Sequence, residues 1–510
     1  MKFVADLHLH SKYSRAVSPQ MTLENIERWA RYKGINVVAT GDFTHPFWFD
    51  KLKNELEETE SGLYRLKTND KGLTQKNQAL DVSHSALSEQ KVYFFFSCEI
   101  SSIYTQSGKG RRIHSLFFFP KLSSVEKFNL ELIKKGANLR SDGRPIVGLS
   151  ARDLTEIALE TDEKALVIPA HAWTPWFSVF GAFSGFDSLS DCFGDMANNI
   201  YAIETGLSSD PAMNWRIKEL ENRSILSFSD AHSLEKMGRE ATVFEAEEVS
   251  YEAIYEAVAR GPVSSFLPAP SINSGQAVLR VYPERNRRAV GNPSTAATPR
   301  IAFTIEFYPQ EGKYHYTGHR DCGVSLSPEE TSQKGERCPV CGKTLTIGVM
   351  HRVEELAQKS SKFPFDSKLA QGEQVQSSKF KVQSSNGVRW VYPDGDSRPP
   401  YVMLVPLGEI LAEALGSAVG TKKVMDYYLT LVNNLGSEFN ILLTAHLDNI
   451  AKNSSPKIAE GIGRVRNADI VVEPGYDGKF GIVKIWPDAA SASSEEIAKD
   501  QQESQLTLFA

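Results

Sequence analysis

The chain has 510 residues, which is too long for one hydrophobic core, so two or three domains are expected. Hydrophobic residues make up 41% of it and no stretch has the roughly 18 uncharged apolar residues of a membrane helix, so we expect a cytoplasmic protein. A net charge of −6 neither indicates nor excludes a nucleic-acid ligand, and five unevenly placed cysteines exclude a disulfide framework.

Short β-branched runs alternate with helical patterns from residue 1 to residue 266. This alternation predicts a parallel α/β sheet or barrel. The predicted strands are Phe3–Asp6, Asn36–Thr40, Val92–Ile100, Ile113–Phe118, Ala165–Pro169, Ile200–Glu204 and Ile225–Ser229. The predicted helices are Thr22–Lys33, Ala151–Glu160 and Tyr251–Arg260. The polar stretch Glu58–Lys91 interrupts the pattern and is interpreted as a loop or insertion.

Histidines and acidic residues follow these predicted strands. His8 and His10 are two positions apart, so strand alternation places both side chains on one face, and Asp230 and His232 repeat that spacing. The other residues of this kind are Asp42, His45, Glu99, His114 and His171. Most lie at the carboxyl end of a strand, where α/β barrels and sheets place their active sites.

Imidazole and carboxylate groups are typical ligands of Zn²⁺, Mn²⁺ or Fe²⁺, and carboxylates can bridge two or three ions. Such ions activate water near neutral pH and bind both the attacking and the leaving oxygens of a phosphate. A single histidine after a strand is usually structural, but six of the seven histidines before residue 233 fall at strand ends. We therefore predict a phosphoesterase with two or three divalent ions, Zn²⁺, Mn²⁺ or Mg²⁺, in which His45 is either a ligand or only lines the site.

The set HxH, GDFTH, Glu99, His114, His171 and DxH resembles the PHP (polymerase and histidinol phosphatase) phosphoesterase family over roughly the first half of the chain. The resemblance implies a distorted (β/α)7 barrel with a trinuclear metal site. The ligands that it implies are His8, His10, Glu99, His114, His171, Asp230 and His232. Two departures from the family, Ser14-Arg15 after HxH and GDFTH in place of Thr-Asp-His, leave the ligand roles of Asp42 and His45 open. They also make Arg15 a candidate contact for the substrate phosphate.

A second metal site is predicted between residues 300 and 350. His319-x-x-Cys322 and Cys338-Pro-Val-Cys341 are two ligand pairs with the spacing of a structural zinc ribbon. A redox CxxC is the alternative, but the third cysteine at ribbon spacing favours one structural Zn²⁺.

The sequence after the ribbon contains a soft stretch and a third block. Residues 359–386 are rich in Ser, Gln and Lys and are expected to be mobile. The block at 400–487 has predicted helices at Leu407–Leu415 and Val424–Leu435 and strand-like runs at Ile441–Leu443 and Ile470–Val472. It lacks a GxxxxGK[ST] loop, so ATP hydrolysis is not expected.

The chain ends in a stretch from residue 488 to residue 510 that we expect to be a disordered tail. Its last residues contain QLTLF, and an apolar peptide at the end of a polar tail is suited to a hydrophobic pocket on a partner. The motif resembles the QL-x-LF peptide with which bacterial replication and repair proteins bind the sliding clamp. The partner-binding residues would be Gln505, Leu506, Leu508 and Phe509.

The whole chain resembles the endonuclease Q family, through the motifs DLHLHSKYSRA, ETGLSSDP, SFSDAHS, CPVCGK, PLGEILAEALG and PGYDGKFG. The resemblance implies a PHP domain (1–266), a zinc-ribbon segment (300–350), a helicase-like α/β domain without a nucleotide loop (400–487) and the tail (488–510). It also implies a nucleoid-associated DNA endonuclease that cuts on the 5′ side of uracil, hypoxanthine, xanthine or an abasic site.

Such an enzyme needs hydrolytic residues and a pocket for a base turned out of the duplex. We predict Asp230, Glu99 and His232 as catalytic residues. The predicted substrate-binding residues are Arg15, Gly206, Ser208, Ser209 and Trp173. Trp173 and its neighbours Trp176 and Phe177 suit base stacking, although packing inside the barrel is an equally good interpretation.

Two other functions remain open at this point. One is a PHP-type phosphatase acting on a small phosphate monoester, in which the ribbon, third block and clamp peptide would have no role. The other is a non-catalytic adaptor that docks on the clamp, which the nearly complete ligand set disfavours. Activity on p-nitrophenyl phosphate or nucleotides, compared with DNA, separates the first alternative from the nuclease.

Overall fold

We analysed a computed structural model of the chain. It describes residues 1–67, 90–261, 298–360, 380–385, 387–394 and 398–487. Among the helices in those ranges, none is both long and apolar enough to cross a membrane.

The strands share one large sheet and three small ones. They are β1 Lys2–Asp6, β2 Val37–Ala39, β3 Leu56–Glu58, β4 Tyr64–Leu66, β5 Tyr93–Gln106, β6 Lys109–Phe119, β7 Ile146–Val147, β8 Leu166–Pro169, β9 Ala202–Glu204, β10 Ser224–Leu226, β11 Ala241–Glu245, β12 Arg300–Glu306, β13 Thr317–His319, β14 Val324–Leu326, β15 Phe380–Ser385, β16 Val388–Pro393, β17 Tyr401–Met403, β18 Val471–Glu473 and β19 Ile482–Lys484.

The helices lie between the early strands and make up most of the C-terminal block. They are α1 Leu23–Lys33, α2 Pro46–Glu55, α3 Leu122–Lys134, α4 Ala151–Thr161, α5 Leu189–Phe193, α6 Pro211–Asn214, α7 Tyr251–Ala259, α8 Pro328–Lys334, α9 Val349–Ser360, α10 Leu407–Leu415, α11 Lys422–Leu435, α12 Glu438–Leu443, α13 Leu447–Asn453 and α14 Pro456–Asn467.

The large sheet is mixed and has thirteen strands. Its main order is β15-β16-β17-β12-β11-β1-β2-β5-β4-β3, with β6 and β7 on β5 and β8 on β6, while β9 and β10 form a separate parallel pair. The strands β1, β2 and β5 are parallel neighbours, whereas β11 and β12 run antiparallel to each other. The protein is thus a mixed α/β protein, as predicted, and the closure of seven strands into a barrel stays a prediction. Because β12 and β17 extend this sheet, it continues past residue 266.

The predicted strands and helices of the first 266 residues are confirmed to within a few residues, except that β5 and β6 are longer. In the C-terminal block, the predicted strand Ile441–Leu443 is wrong, because these residues belong to helix α12, which Ser437 caps. A three-residue apolar run does not by itself distinguish a strand from a buried helical turn.

Two stretches that we interpreted as soft contain ordered strands at their edges. The predicted insertion at 58–91 begins inside the β3–β4 hairpin, while its residues 68–89 lie outside the described residues. Within the predicted mobile stretch at 359–386, strand β15 pairs with β16, and residues 361–379 and 386 lie outside the described part. Strand β15 lies at the edge of the large sheet and its residues after Phe380 are exposed, so this polar run pairs with β16 without a buried face.

The C-terminal helices pack on the first helix of the chain. Helix α1 begins at the N-cap Thr22 and ends at Gly34, whose φ of 89° lets the chain turn in the left-handed conformation. At that end, Lys33 Nζ lies 2.8 Å from Glu438 Oε2 of α12, and both side chains are buried. The C-terminal block is therefore joined to the sheet domain by a buried ion pair.

Candidate metal centre

The two histidines that follow β1 are held by carboxylates. His8 Nδ1 donates to Glu204 Oε1 at 2.9 Å, and His10 Nδ1 donates to Asp42 Oδ1 at 3.0 Å. Both imidazoles are buried. Metal-binding histidines usually donate their other ring nitrogen in this way, which leaves Nε2 available to the ion.

The free Nε2 atoms of these histidines face two further carboxylates. His10 Nε2 lies 3.3 Å from both Glu99 Oε2 and Asp230 Oδ1, and His8 Nε2 lies 3.5 Å from the same atom of Asp230. Two ligands that are each about 2.1 Å from one ion lie roughly 3.0–3.5 Å apart in octahedral or tetrahedral geometry. The spacing of His8, His10 and Asp230 is therefore that of a metal ligand group.

A second group shares the Glu99 carboxylate. Glu99 Oε1 lies 2.5 Å from His114 Nδ1 and 3.1 Å from His171 Nε2, and these two nitrogens are 3.2 Å apart. Because Oε2 of Glu99 faces His8 and His10, its carboxylate lies between the two groups. A carboxylate in this position can bridge two ions.

The donor atoms in the first group fit a cation. His8 Nε2, His10 Nε2 and Asp230 Oδ1 are buried polar atoms without a hydrogen-bond partner. Three such atoms converging on one point would be costly unless a ligand satisfied them. Imidazole nitrogen and carboxylate oxygen are the donors expected for Zn²⁺ or Mn²⁺.

The charges within the cluster depend on one another. Burial lowers the pKa of His8, but the nearby carboxylates of Glu204 and Asp230 outweigh it and raise this pKa well above its ordinary value. Burial raises the pKa of Glu99, but the charges of His114 and Arg144 outweigh it and lower the pKa well below the usual range. The carboxylate is therefore held ionised, as a metal ligand must be.

The loops that carry the cluster have unusual backbone conformations. Asp42, His171 and Asp230 have φ angles of 47°, 30° and 45°, in the left-handed region that L-residues rarely adopt. Gly206 also has a positive φ, and a Cβ atom there would lie 2.4 Å from the Cβ of His171. Strain of this kind is tolerated where the surrounding structure holds a functional geometry.

A buried aspartate fixes the loop of Asp230 to the first strand. Asp6 Oδ1 accepts a hydrogen bond from Ser229 N at 3.0 Å, and Asp6 Oδ2 accepts one from Gly238 N at 2.9 Å. His232 follows on the same loop, and its ring centroid is 4.8 Å from that of His10. The loop thus brings Asp230 and His232 to the cluster.

Two of the predicted ligands have other contacts. Asp42 bonds to the side chains of His10, Ser11 and Ser14, so it orients His10. The ring of His45 stacks on Tyr13 at 4.6 Å, and the ligand groups found among the described residues do not include it. The ligand roles of Asp42, His45 and His232 stay predictions.

Sequence reasoning missed two residues of the centre. Glu204 ends strand β9 and was seen only as the last residue of a predicted strand, yet it bonds His8. Arg144 lies in the loop before β7, with Nη1 at 3.1 Å from Glu99 Oε2. Its side chain is 27% exposed, so the guanidinium reaches both the buried carboxylate and solvent. The position of Glu204 at the end of a predicted strand was the one signal in the sequence that could have identified it. Nothing in the sequence pointed to Arg144.

Two of the predicted substrate-binding residues are buried. Trp173 is fully buried, and its Nε1 donates to Asn214 Oδ1 at 2.7 Å, so its ring packs inside the fold. Ser209 is also fully buried and donates to the carbonyl of Thr205 at 3.0 Å. Both side chains contribute to the core beneath the loop, and their substrate-binding roles stay predictions.

The remaining substrate-binding predictions concern the buried Gly206, the half-buried Ser208 and the exposed Arg15. Gly206 lies against His171, and the Ser208 hydroxyl donates to the Gly206 carbonyl at 3.1 Å. The Arg15 side chain is 80% exposed, with Nε at 3.4 Å from Asp142 Oδ2. These roles stay predictions, and the clamp-binding residues 505–509 lie outside the described part of the chain.

The predicted zinc ligands lie together. One ligand atom from each of His319, Cys322, Cys338 and Cys341 lies within 4.8 Å of the others. The strands β13 and β14 form a hairpin that carries the first pair, and a small core of Leu326, Cys338 and Leu345 lies beside it. A core of that size usually needs a further cross-link to be stable, and a closed tetrahedral zinc site at these four residues would supply one.

Comparisons with known proteins give matches in both halves of the chain. Residues 225–263 match a family model described as PHP-associated, and residues 406–469 match one described as the MJ0043 C-terminal domain. The uncharacterized protein MJ0043 of Methanocaldococcus jannaschii is 28% identical over 333 residues, which are 65% of this chain and 33% of that protein. This chain therefore matches only about a third of that relative's length. The uncharacterized protein YqxK of Bacillus subtilis is 26% identical over 498 residues, which are 95% and 99% of the two chains.

Two solved structures resemble almost the entire chain. The lesion-specific endonuclease PfuEndoQ from Pyrococcus furiosus has a TM-score of 0.68 and 27% identity, over 97% of this chain and 99% of that one. Endonuclease Q in complex with a 27-mer duplex that carries an abasic lesion at the active site has a TM-score of 0.68 and 30% identity. That similarity covers 95% of this chain and 97% of the endonuclease.

Proposed function

This chain belongs to the endonuclease Q family, and on that premise we propose that it is a metal-dependent DNA repair endonuclease. It hydrolyses the phosphodiester on the 5′ side of a deaminated base (uracil, hypoxanthine or xanthine) or of an abasic site. The observation that carries the proposal is the Glu99 carboxylate, which lies between two histidine-containing ligand groups. Paired metal ions suit the in-line displacement of a phosphate oxygen.

The exposure of the side chains indicates the direction from which a phosphate arrives. Glu99 lies at the floor of the cluster, while the side chains of Asp230 and His232 are 22% and 33% exposed. Together with Arg144, they form the solvent side of the centre. A phosphodiester therefore enters beside Asp230, and the Arg144 guanidinium can donate hydrogen bonds to its non-bridging oxygens.

Divalent ions bound here would activate the attacking water and stabilise the leaving oxygen. The ligands that we propose are His8, His10, Glu99, His114, His171 and Asp230, with His232 at the rim. Glu204 and Asp42 hold the rings of His8 and His10 in the orientation that directs Nε2 at the centre. Asp230 contributes a ligand oxygen next to the entering phosphate. The protein thus holds the proposed ligand atoms in place before the substrate binds.

Two other parts of the chain have separate proposed roles, one structural and one in binding a partner. We propose that residues 317–345 hold one structural Zn²⁺, because two short ligand pairs converge there. We also propose that the QLTLF peptide binds the sliding clamp and that the protein is cytoplasmic and nucleoid-associated. The composition of the peptide, in which apolar residues follow a polar stretch, supports the clamp proposal.

A nicking assay tests the function. The protein is incubated with a labelled duplex that contains one uracil, hypoxanthine, xanthine or abasic site, with Mn²⁺, Mg²⁺ or EDTA and with an undamaged control. The proposal predicts a nick directly 5′ to the lesion that EDTA abolishes. Intact DNA together with phosphate release from p-nitrophenyl phosphate would instead assign the centre to a small-molecule phosphatase.

A further inference from the structure

An aromatic and basic surface lies beside the metal centre. It consists of residues from the loop after β1, from the start of α2 and from the loop before β7, and we call it the mouth cluster. Its members are Lys12, Tyr13, Arg15, His45, Phe47 and Arg140. The metal ligands proposed above do not explain why three rings and three cations gather here.

The rings of the mouth cluster are stacked but leave one member open to solvent. Tyr13 stacks on His45 with centroids 4.6 Å apart, and Phe47 packs at 5.8 Å from His45. Phe47 is nevertheless 59% exposed, and the guanidinium of Arg140 lies 5.6 Å from its ring centroid. An exposed phenylalanine beside a guanidinium has the features of a stacking platform for a nucleobase.

The mouth cluster is tied to the metal centre by short covalent and hydrogen-bonded links. Tyr13 is three residues after His10, so the two Cα atoms are within about 10 Å of each other. Ser11 and Ser14, on either side of Tyr13, both donate to the Asp42 carboxylate, which orients His10. A substrate phosphate at the centre therefore has its neighbouring nucleotide within reach of Phe47.

The loop that carries Arg140 is packed directly on the loop after β1. Gly143 N donates to the carbonyl of Tyr13 at 3.0 Å, and a Cβ atom at Gly143 would lie 2.4 Å from Ser14 Oγ. The same loop places Asp142 against Arg15 and Arg144 against the Glu99 carboxylate. Because the two loops pack on each other, their contacts hold the cations of the mouth cluster at a defined position beside the metal centre.

The charge of this surface suits a polyanion. Lys12, Arg15 and Arg140 are exposed, and Arg144, four residues after Arg140, contacts the Glu99 carboxylate of the centre. The carboxylate of Asp142 faces this group and is engaged by Arg15. Basic side chains interleaved with aromatic rings are typical of surfaces that bind unpaired nucleotides.

We propose that the mouth cluster holds the nucleotide next to the lesion nucleotide, with its base stacked on Phe47 and its flanking phosphates bound by Arg15 and Arg140. The inference rests on the proposed function, and it names the part of the DNA that this surface receives. When the lesion nucleotide turns out of the duplex, the base of its neighbour loses one stacking partner. The exposed face of Phe47 replaces that partner.

Phe47→Ala and Phe47→Tyr in the full-length protein test the inference. Binding is measured by fluorescence anisotropy on a uracil-containing duplex in EDTA, where no cleavage occurs. We expect Phe47→Ala to weaken binding by about 5-fold or more and Phe47→Tyr to keep near wild-type affinity. A 2-aminopurine next to the uracil should be quenched by the wild-type protein and brighter with Phe47→Ala.

Two further variants make the result specific. Arg140→Ala should reduce the slope of log Kd against log salt concentration by about 1, because one phosphate contact is lost. Leu130→Ala, an equally exposed apolar residue on α3, should change neither affinity nor fluorescence. Metal-dependent hydrolysis of bis(p-nitrophenyl) phosphate should be unchanged in Phe47→Ala, since this small diester does not extend to the mouth cluster.

The outcomes separate this inference from the proposed function. A wild-type protein that binds the duplex but does not nick it would overturn the proposed function. Equal affinity and equal 2-aminopurine quenching for wild type and Phe47→Ala would overturn the mouth-cluster inference. A change in oligomeric state in Phe47→Ala with unchanged DNA affinity would overturn it as well, because the surface would then contact a second copy of the chain.

Discussion

Glu204 and His8 form a buried hydrogen bond of 2.9 Å, although they are 196 positions apart in the chain. The second oxygen of Glu204 accepts a hydrogen bond from the backbone nitrogen of His171 at 2.7 Å. One carboxylate therefore supports a residue from each of the two ligand groups. Because Glu204 is also fully buried, it is a positioning residue that holds the geometry of the centre.

We predict that Glu204→Gln lowers metal affinity by about 10- to 100-fold, because a neutral amide no longer raises the basicity of the His8 ring. Metal content after dialysis against a chelator measures the effect, and excess Mn²⁺ should restore much of the cleavage rate. Glu219→Gln is a suitable control, because Glu219 accepts only backbone hydrogen bonds near α5 in the described structure. Equal metal affinity in Glu204→Gln and wild type would refute this role.

A substitution at Gly206 tests the close approach of two loops. Gly206→Ala would place a methyl group 2.4 Å from the Cβ of His171, so His171 must move, and we expect about a 100-fold loss of cleavage. Gly108→Ala is the matched control, because Gly108 also has a positive φ, of 75°, but open space around it. If the two variants cleave at the same rate, the contact with His171 has no effect beyond that of the positive φ angle, and the steric argument fails.

The sequence pointed to the residues that the structure brings together in the candidate metal centre. Candidate ligands such as His8 and Asp230 follow strands, so periodicity and chain order were enough to find them. The role of Glu204 depends on which strands become neighbours, and Trp173 looked available because a sequence does not show which ring is covered. The short run Ile441–Leu443 became helical because Ser437 caps it and α14 packs against it. Long-range packing decided each of these cases.

The buried pair Lys33–Glu438 should contribute strongly to stability. Lys33→Met leaves the Glu438 carboxylate buried without its cation, and we expect a loss of about 3 kcal/mol in the free energy of unfolding. The matched control is the exposed pair Lys134–Glu131, where Lys134→Met should lower the free energy of unfolding far less because solvent screens the pair. Urea denaturation of both variants measures the difference. Equal costs would show that burial of the first pair is not maintained in solution.

The zinc prediction is tested by metal analysis. Cys338→Ser should remove about one equivalent of tightly bound Zn²⁺ and increase proteolysis within residues 317–345, since the small core there lacks another cross-link. Cys192→Ala, a buried cysteine far from the four-ligand group in sequence, should keep the full zinc content. Unchanged zinc in Cys338→Ser would count against a ribbon site.

The most direct measurement of the central claim is single-turnover cleavage of a uracil-containing duplex by wild type, Asp230→Asn and Asp191→Asn in Mn²⁺. Asp230 supplies an oxygen to the first ligand group, whereas Asp191 is an exposed residue of α5. We predict a nick directly 5′ to uracil with the wild type and Asp191→Asn, and a rate at least about 100-fold lower with Asp230→Asn. Full metal-dependent cleavage by a folded Asp230→Asn protein would contradict the assignment of this centre as the nuclease site.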